Sequence, residues 1–279
     1  MTRPFLQYRF LNQTPTAVVL NTFNEAFSDY ILPMHLTEAQ WAYKLKNDGV
    51  DWSLSLGAFD GEALVGVILH GRNQKEFYNA GTGVIPSHRG QGITRALYAF
   101  GLPLLQEQGF EVGILEVIST NDAAKRTYEK IGFEKTAVLN CYNGTISAVG
   151  NGKAVTLQPL TPELYQAYYA DKSVAPSWQN DRRAVLAHWE ILEVQQIYSE
   201  QTAVGYLVYH PQSNKLIQLY IAPEFRRKGL ATALLSSLFT ADKKLLVTNV
   251  NSTDTALNTL FKKLGLQLFL KQDLMVLNL

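Results

Sequence analysis

GVIPSHRGQGITRAL (83–97) and YIAPEFRRKGLATALL (220–235) share one pattern, and it decides how the chain is built. Each runs from an apolar strand into a proline, two variable residues, an arginine, two more residues and a glycine. Each then enters a helix rich in alanine and leucine. Pro86 matches Pro223, Arg89 matches Arg226, Gly92 matches Gly229, and the pair Ala96, Leu97 matches Ala233, Leu234. A second match lies downstream, between NDAAKRTYEKIGF (121–133) and DTALNTLFKKLGL (254–266). The first motif recurs at an offset of 137 residues and the second at 133, a difference that a small deletion explains. Self-similarity at a near-constant offset is a tandem duplication.

A chain of 279 residues is long for one domain and comfortable for two. Hydrophobic residues at 47% against 18% charged ones support packed cores rather than disorder. The balance of 25 Lys+Arg against 24 Asp+Glu gives no overall pull toward nucleic acid or anionic lipid. A single cysteine, Cys141, excludes an intrachain disulfide and a thiolate metal cluster; it reads as a small half-buried residue at a strand end. The histidines His35, His70, His188 and His210 form no ligand-spaced pair, so no metal site is expected. No stretch approaches the ~18 unbroken apolar residues of a membrane span, and the N-terminus lacks the apolar run of a secretory signal. A cytoplasmic protein without membrane or nucleic-acid partners is expected.

Alternation and breakers give a coarse reading of the first half. It has a strand at 7–11, helices near 15–28 and 37–48, and strands near 52–59, 62–70 and 77–85. A helix at 90–108, a strand at 112–119, a helix at 121–131 and a strand near 134–142 follow. Asp60 and Gly61 join two of the strands as a hairpin. The second half repeats this order: a strand at 154–159, helices at 162–170 and about 180–190, and strands at 191–199, 202–210 and 215–222. A helix at 227–240, a strand at 244–250, a helix at 253–263 and terminal strands complete it. The class is α/β, with two tandem domains, 1–147 and 152–279. Each has a mostly antiparallel central sheet with helices on both faces. Gly and Asn cluster at the boundary, NGTISAVGNGK (143–153).

In RGQGIT (89–94) a strand has just ended and a helix begins within the glycine pair. At a helix start the first N–H groups lack intrahelical partners and the macrodipole is positive, so a diphosphate is held well there. Gly90 and Gly92 let backbone approach phosphate without a Cβ in the way. Arg89 adds a charged fork suited to phosphate oxygens. The dinucleotide fingerprint fails because its last glycine position holds Arg95, and no GxxxxGK[ST] occurs.

Arg-x-x-Gly-x-(Gly/Ala) after a strand resembles the acyl-CoA-binding motif of the GCN5-related N-acetyltransferase (GNAT) superfamily. RRKGLA (226–231) matches completely, and RGQGIT departs only at Thr94. Two copies, each followed by the family's second motif, make the resemblance specific, and it covers most of both halves. It implies acetyl-CoA or CoA as cosubstrate, bound by Val84, Ile85, Arg89, Gly90, Gln91, Gly92, Ile93, Thr94 and Asn121. A possible second CoA site comprises Ile221, Arg226, Arg227, Lys228, Gly229, Leu230 and Ala231. Asn121 also suits a helix N-cap, and the two roles coexist. His88 beside Arg89 either adds positive potential or is a solvated turn residue. Gly81 and Gly83 permit a bulge or splayed strand before the turn.

By the same resemblance, acyl transfer is direct: a neutral amine attacks the thioester and CoA thiolate leaves. An alkyl ammonium with a pKa of about 10.4 must lose a proton, and the thiolate benefits from an acid. The resemblance implies that Tyr128 is that acid; otherwise it is a packing aromatic. Glu116, twelve residues earlier, matches the Glu-to-Tyr spacing of the ribosomal-protein alanine N-acetyltransferase branch, which implies a general base. The other reading is a strand carboxylate facing solvent or an arginine. In the second half Tyr128 maps to Phe261 and Glu116 maps near Asn249, with Thr248 or Asn251 in shifted alignments; none is an acid or base. The first domain is therefore expected to be catalytic and the second degenerate. Tandem members of the superfamily are similar in dividing labour between halves. Acceptor recognition falls by resemblance on AFSDYILPMHLTEAQW (26–41), where Asp29 and Tyr30 are candidates for a cationic amine. The expected function is acyl transfer to a primary amine on a small molecule or peptide. The alternative is a non-catalytic acyl-CoA-binding or sensing protein.

Overall fold

The computed structural model describes residues 6–32, 34–146, 155–169, 176–239 and 243–279. The chain divides into two compact units: Met1–Thr136 with Leu274–Leu279, and Ala137–Asp273. The first repeat supplies β1 (Gln7–Phe10), α1 (Thr16–Ala26), α2 (Glu38–Asp48), β2 (Leu56–Asp60), β3 (Ala63–Asn73) and β4 (Glu76–Val84). It continues with α3 (Ile93–Glu107), β5 (Val112–Ile118), α4 (Asp122–Ile131) and β6 (Glu134–Thr145). The second supplies β7 (Thr156–Pro159), α5 (Pro162–Tyr169), α6 (Arg182–Ala187), β8 (Glu193–Ser199), β9 (Thr202–His210) and β10 (Lys215–Ile221). It ends with α7 (Leu230–Leu238), β11 (Lys244–Asn251), α8 (Thr255–Lys263) and β12 (Gln267–Asn278).

The expected α/β class holds. The first unit orders its strands β1-β2-β3-β4-β5 and then the C-terminal part of β12 (274–278), and the second β7-β8-β9-β10-β11 and then most of β6 (137–145). In each unit the β1-to-β4 or β7-to-β10 strands are antiparallel neighbours. The β4–β5 and β10–β11 pairs are parallel. In the first unit Leu56, Ile68, Phe77, Leu97, Leu105 and Leu115 form a core with Met275 and Leu277. Each fully buried side chain of this kind stabilises the fold by about 1.5–3 kcal/mol.

The division differs from the expected 1–147 and 152–279. Residues 137–146 belong to the second unit, and 274–279 return to the first, where Leu279 N–H donates to Glu111 O at 2.9 Å. Duplication explains this: both units present an equivalent strand edge, so either terminal strand fits beside either one. Much of the expected linker (147–154) lies outside the described residues. Among the element bounds that shift, three have a clear local cause. The strand expected from 52 begins at Leu56, because Asp51 Oδ1 accepts from Ser53 N–H and Oγ–H and folds 51–54 into a turn. The helix expected from 90 begins at Ile93, since Gly90 and Gly92 have φ of 75° and 77°. The helix expected over 180–190 is α6 alone, capped by Asp181 and flanked by 3-10 turns. Cys141 is fully buried within β6, not half-buried at a strand end.

Candidate active site

The turn before α3 leads backbone N–H groups toward solvent. Residues 89–92 are exposed, a Cβ on Gly90 or Gly92 would meet nothing within 4 Å, and no side chain caps the helix. Arg227 and Gly229 hold the corresponding positive φ, 61° and 82°, ahead of α7. Arg89 is used differently from the expectation. Its fork grips Asp29 at 2.7 Å through both terminal nitrogens, and it donates to Ala26 O and Val84 O. The hydrogen bond from Arg89 holds the Asp29 carboxyl below its usual range. Asp29 is thus committed to the turn, which locks α1 to the start of α3. Arg226 keeps the same backbone contact, donating to Ile221 O at 2.8 Å. His88 turns to Asp60 and Ser87. Ile85 N–H is spent on Val65 O.

Behind this turn the parallel strands part. Pairing between β4 and β5 runs from Glu76–Val112 to Asn79–Leu115 and stops, although β4 continues to Val84 and β5 to Ile118. A bulge marks the place: Leu69 faces Gly81 while His70 faces Asn79, leaving Ala80 extra, as the glycines there predict. Lys44 donates to Ala80 O at 2.6 Å and pairs with the buried Asp48. Beyond the bulge, Gly81 and Gly83 lie against α1, where a Cβ on Gly83 would stand 2.7 Å from Ala26 Cβ. The extra residue inverts the alternation, so Asn79 and Thr82 share the α3 face and their side chains bond at 2.7 Å.

The candidate acid and base flank this opening from opposite faces. Tyr128 packs in the core with Leu115, Val117 and Tyr98 beneath α3 and α4. Its neighbours on the sheet are Asn79, which reaches its phenol at 3.4 Å, and Thr82. Burial pushes the Tyr128 phenol up, with bonds from Thr82 and Asn79 acting against it, so it carries its proton at neutral pH. Glu116 alternates with Leu115 and Val117 and so faces the other side, where its Oε2 accepts from Tyr78 Oη at 3.4 Å. Asn121 caps α4, accepting from Ala124 N–H, and its side chain is within hydrogen-bonding reach of the Tyr30 phenol. The structure therefore gathers Tyr30, Asn121 and Tyr128 around one end of the opening and removes Asp29 from it. Asn79, Thr82 and Tyr98 were missed by sequence reading, because the glycines permit a bulge without fixing Ala80 as the extra residue, and that position decides which side chains share the α3 face. Reading the two repeats position by position was the available signal.

In the second unit the same frame holds different chemistry. The β10–β11 pairing stops at Leu216–Val247, and β10 carries its bulge at Ile217, 137 residues after Ala80. Phe261, 1% exposed, stands where Tyr128 does. At the position matching Glu116 in the second repeat lies an irregularity at Thr248 and Asn249, the latter at φ 60° and bonded to Gln272 at 2.6 Å. Gln218 replaces Gly81 and is held by Tyr165, Tyr206 and Asn180 O. A cavity of about 920 Å³ opens between β10 and β11, lined among others by Arg226, Arg227, Gly229, Val247 and Asp254. Among the described residues no three His, Cys, Asp or Glu side chains converge to hold a metal. No helix among them is long and apolar enough to cross a membrane.

Residues 18–133 match the model of the acetyltransferase (GNAT) family, and residues 191–267 match that of an acetyltransferase (GNAT) domain. A GCN5-related N-acetyltransferase from Sphaerobacter thermophilus superposes with a TM-score of 0.72 at 14% identity, over 98% of this chain and 95% of that one. A putative acetyltransferase from Pyrococcus horikoshii gives 0.65 at 14%, over 100% and 91%. A tandem GNAT protein from the clavulanic acid biosynthesis pathway gives 0.68 at 12%, over 98% of both chains. No curated protein sequence matches significantly. With two matched domains in series on this frame, the chain belongs to the GNAT acetyltransferase family as a tandem member.

Proposed function

We propose that the chain is an acyl-CoA-dependent N-acyltransferase, with acetyl-CoA as donor and a primary amine of a small molecule or peptide as acceptor, and that the first unit carries the reaction. The observation that carries this reading is the parting of β4 from β5 with a protonated phenol on one face and a carboxylate on the other. The diphosphate rests on the N–H groups of residues 90–94, at a helix start that no side chain caps, and the pantetheine arm follows β4 into the opening. Asn121 borders it. Glu116, directly or through water, takes a proton from the amine as the nitrogen attacks the thioester carbon. The tetrahedral intermediate collapses, the C–S bond breaks, and Tyr128 gives its proton to sulfur. Acid and base on opposite faces suit a reaction in which nucleophile and leaving group stand on opposite sides of the acyl carbon. Tyr30, on the chain between α1 and α2, lines the acceptor side.

The second unit binds CoA without turning it over. Its cavity is within the range of ligand sites, and Arg226, Arg227, Lys228 and the N–H groups of Gly229, Leu230 and Ala231 suit a diphosphate. Phe261 and the Thr248–Asn249 irregularity supply neither acid nor base. The test is steady-state CoA release from acetyl-CoA with an alanyl peptide, a lysyl peptide, a hexosamine and an alkyl diamine. Amine-dependent release is expected, falling by about 10²-fold in Glu116→Gln. Release that no amine accelerates, with acetyl-CoA bound, favours the binding-protein reading instead.

A further inference from the structure

Beneath Tyr128 lies a buried network that the second repeat lacks member by member. Asn79 Oδ1 accepts from Gly81 N–H at 3.0 Å, which turns its amide nitrogen toward the core and fixes the orientation of the carboxamide. That nitrogen donates to Thr82 Oγ1 at 2.7 Å and Tyr98 Oη at 2.9 Å, and reaches Tyr128 Oη at 3.4 Å. Asn79 is 6% exposed and Tyr98 1%. An amide NH₂ only donates; its two hydrogens go to the nearer acceptors Thr82 and Tyr98, with Tyr128 sharing one of them at 3.4 Å, so both phenols keep their own protons for other partners. Thr82 likewise accepts from Asn79 and has its own proton to offer the Tyr128 oxygen.

At the offset of 137, Asn79, Thr82 and Tyr98 become Leu216, Leu219 and Leu235, and at the second motif's offset of 133 Tyr128 becomes Phe261. The bulges at Ala80 and Ile217 align the two strands in space as well as in sequence. All four apolar residues pack in one core cluster. The same backbone is thus satisfied by hydrocarbon, and burying Asn79, Tyr98 and Tyr128 and half-burying Thr82 instead carries a desolvation cost. That they are polar together where Tyr128 stands, and apolar together where it is lost, ties them to one task.

We propose that Asn79, with Thr82 and Tyr98, is the positioning set for Tyr128. The set holds the phenol oxygen against its donors and leaves the phenol proton aimed into the opening between β4 and β5. When the C–S bond breaks, its electron pair passes to sulfur, and the Tyr128 proton follows. The same donors then stabilise the phenolate, which regains a proton from water before the next cycle. This rests on the reading of Tyr128 as the acid.

The test is a double-mutant cycle on the full chain, assayed by CoA release from acetyl-CoA with the fastest amine of the panel. Asn79→Leu is expected to lower kcat by about 10- to 50-fold, part of the ~10²–10⁴ that general acid catalysis contributes, and to leave the acetyl-CoA KM within about threefold. In a Tyr128→Phe background the same change is expected to alter kcat by less than about twofold, because its target is gone. Asn79→Ala, which leaves space rather than added bulk, serves if the leucine variant does not fold. The triple variant Asn79→Leu/Thr82→Leu/Tyr98→Leu, copying the second repeat, is expected to melt no lower than the parent while kcat falls to the Tyr128→Phe level. Equal losses in both backgrounds, or no loss from Asn79→Leu while Tyr128→Phe is impaired, overturn the positioning role and leave the acid assignment standing. A Tyr128→Phe enzyme with unchanged kcat overturns both.

Discussion

His70 couples the fold of the first unit to pH. It is fully buried in β3, its Nδ1–H donates to Leu54 O at 2.8 Å, and its ring meets Phe77 edge-on at 5.0 Å. Burial pushes its pKa down to about 4, with the bond to Leu54 acting against the shift. In the unfolded chain the same side chain titrates near 6.5, so between these values the unfolded state binds the proton more readily. Its contribution is complete above about pH 6.5 and is lost as pH falls toward 4. From pH 7.5 to 4.5 the linkage relation gives a loss of about 2.5 kcal/mol, large against the ~5–15 kcal/mol that holds a domain together. His70→Asn isolates this effect, since the amide keeps a donor for Leu54 O and cannot titrate. Urea unfolding of both proteins, followed by tryptophan emission at pH 7.5, 6.5, 5.5 and 4.5, reads the difference. The stability gap is expected to close by about 2.5 kcal/mol over that interval. A gap constant with pH refutes the reasoning.

Two further perturbations probe the frame around the opening. Gly83→Ala puts a Cβ 2.7 Å from Ala26 Cβ and 3.0 Å from the Phe27 ring, so α1 must move off β4. A cost of about 1–3 kcal/mol is expected in unfolding measurements, and an unchanged melting temperature contradicts the packing described. Lys44→Met leaves the Asp48 carboxylate, 1% exposed, without its cation and the bulge carbonyl of Ala80 without its donor. Chemical unfolding is expected to register a loss of about 3 kcal/mol, and a loss below about 0.5 kcal/mol contradicts it.

The duplication was legible because turn chemistry is local: proline, arginine and glycine at fixed spacing specify a strand end and a helix start wherever they occur. Tyr128 and its loss at Phe261 followed from the same register. What sequence reading missed depends on contacts far apart in the chain. The exchange of β6 and β12 between units is one case, since both strands read alike and only the finished sheets distinguish them. Asp29 is another: its carboxylate reads as an amine ligand until Arg89, sixty residues on, is found holding it. The Asn79 network depends on one extra residue in β4 that inverts which side chains face α3.

The proposed acyl transfer runs through the Tyr128 phenol of the first unit. The most direct measurement is kcat for CoA release by Tyr128→Phe, with acetyl-CoA affinity measured alongside by calorimetry. A fall of about 10²-fold or more at unchanged affinity is predicted, because the hydroxyl alone is removed from a site whose walls remain. An unchanged kcat contradicts the account.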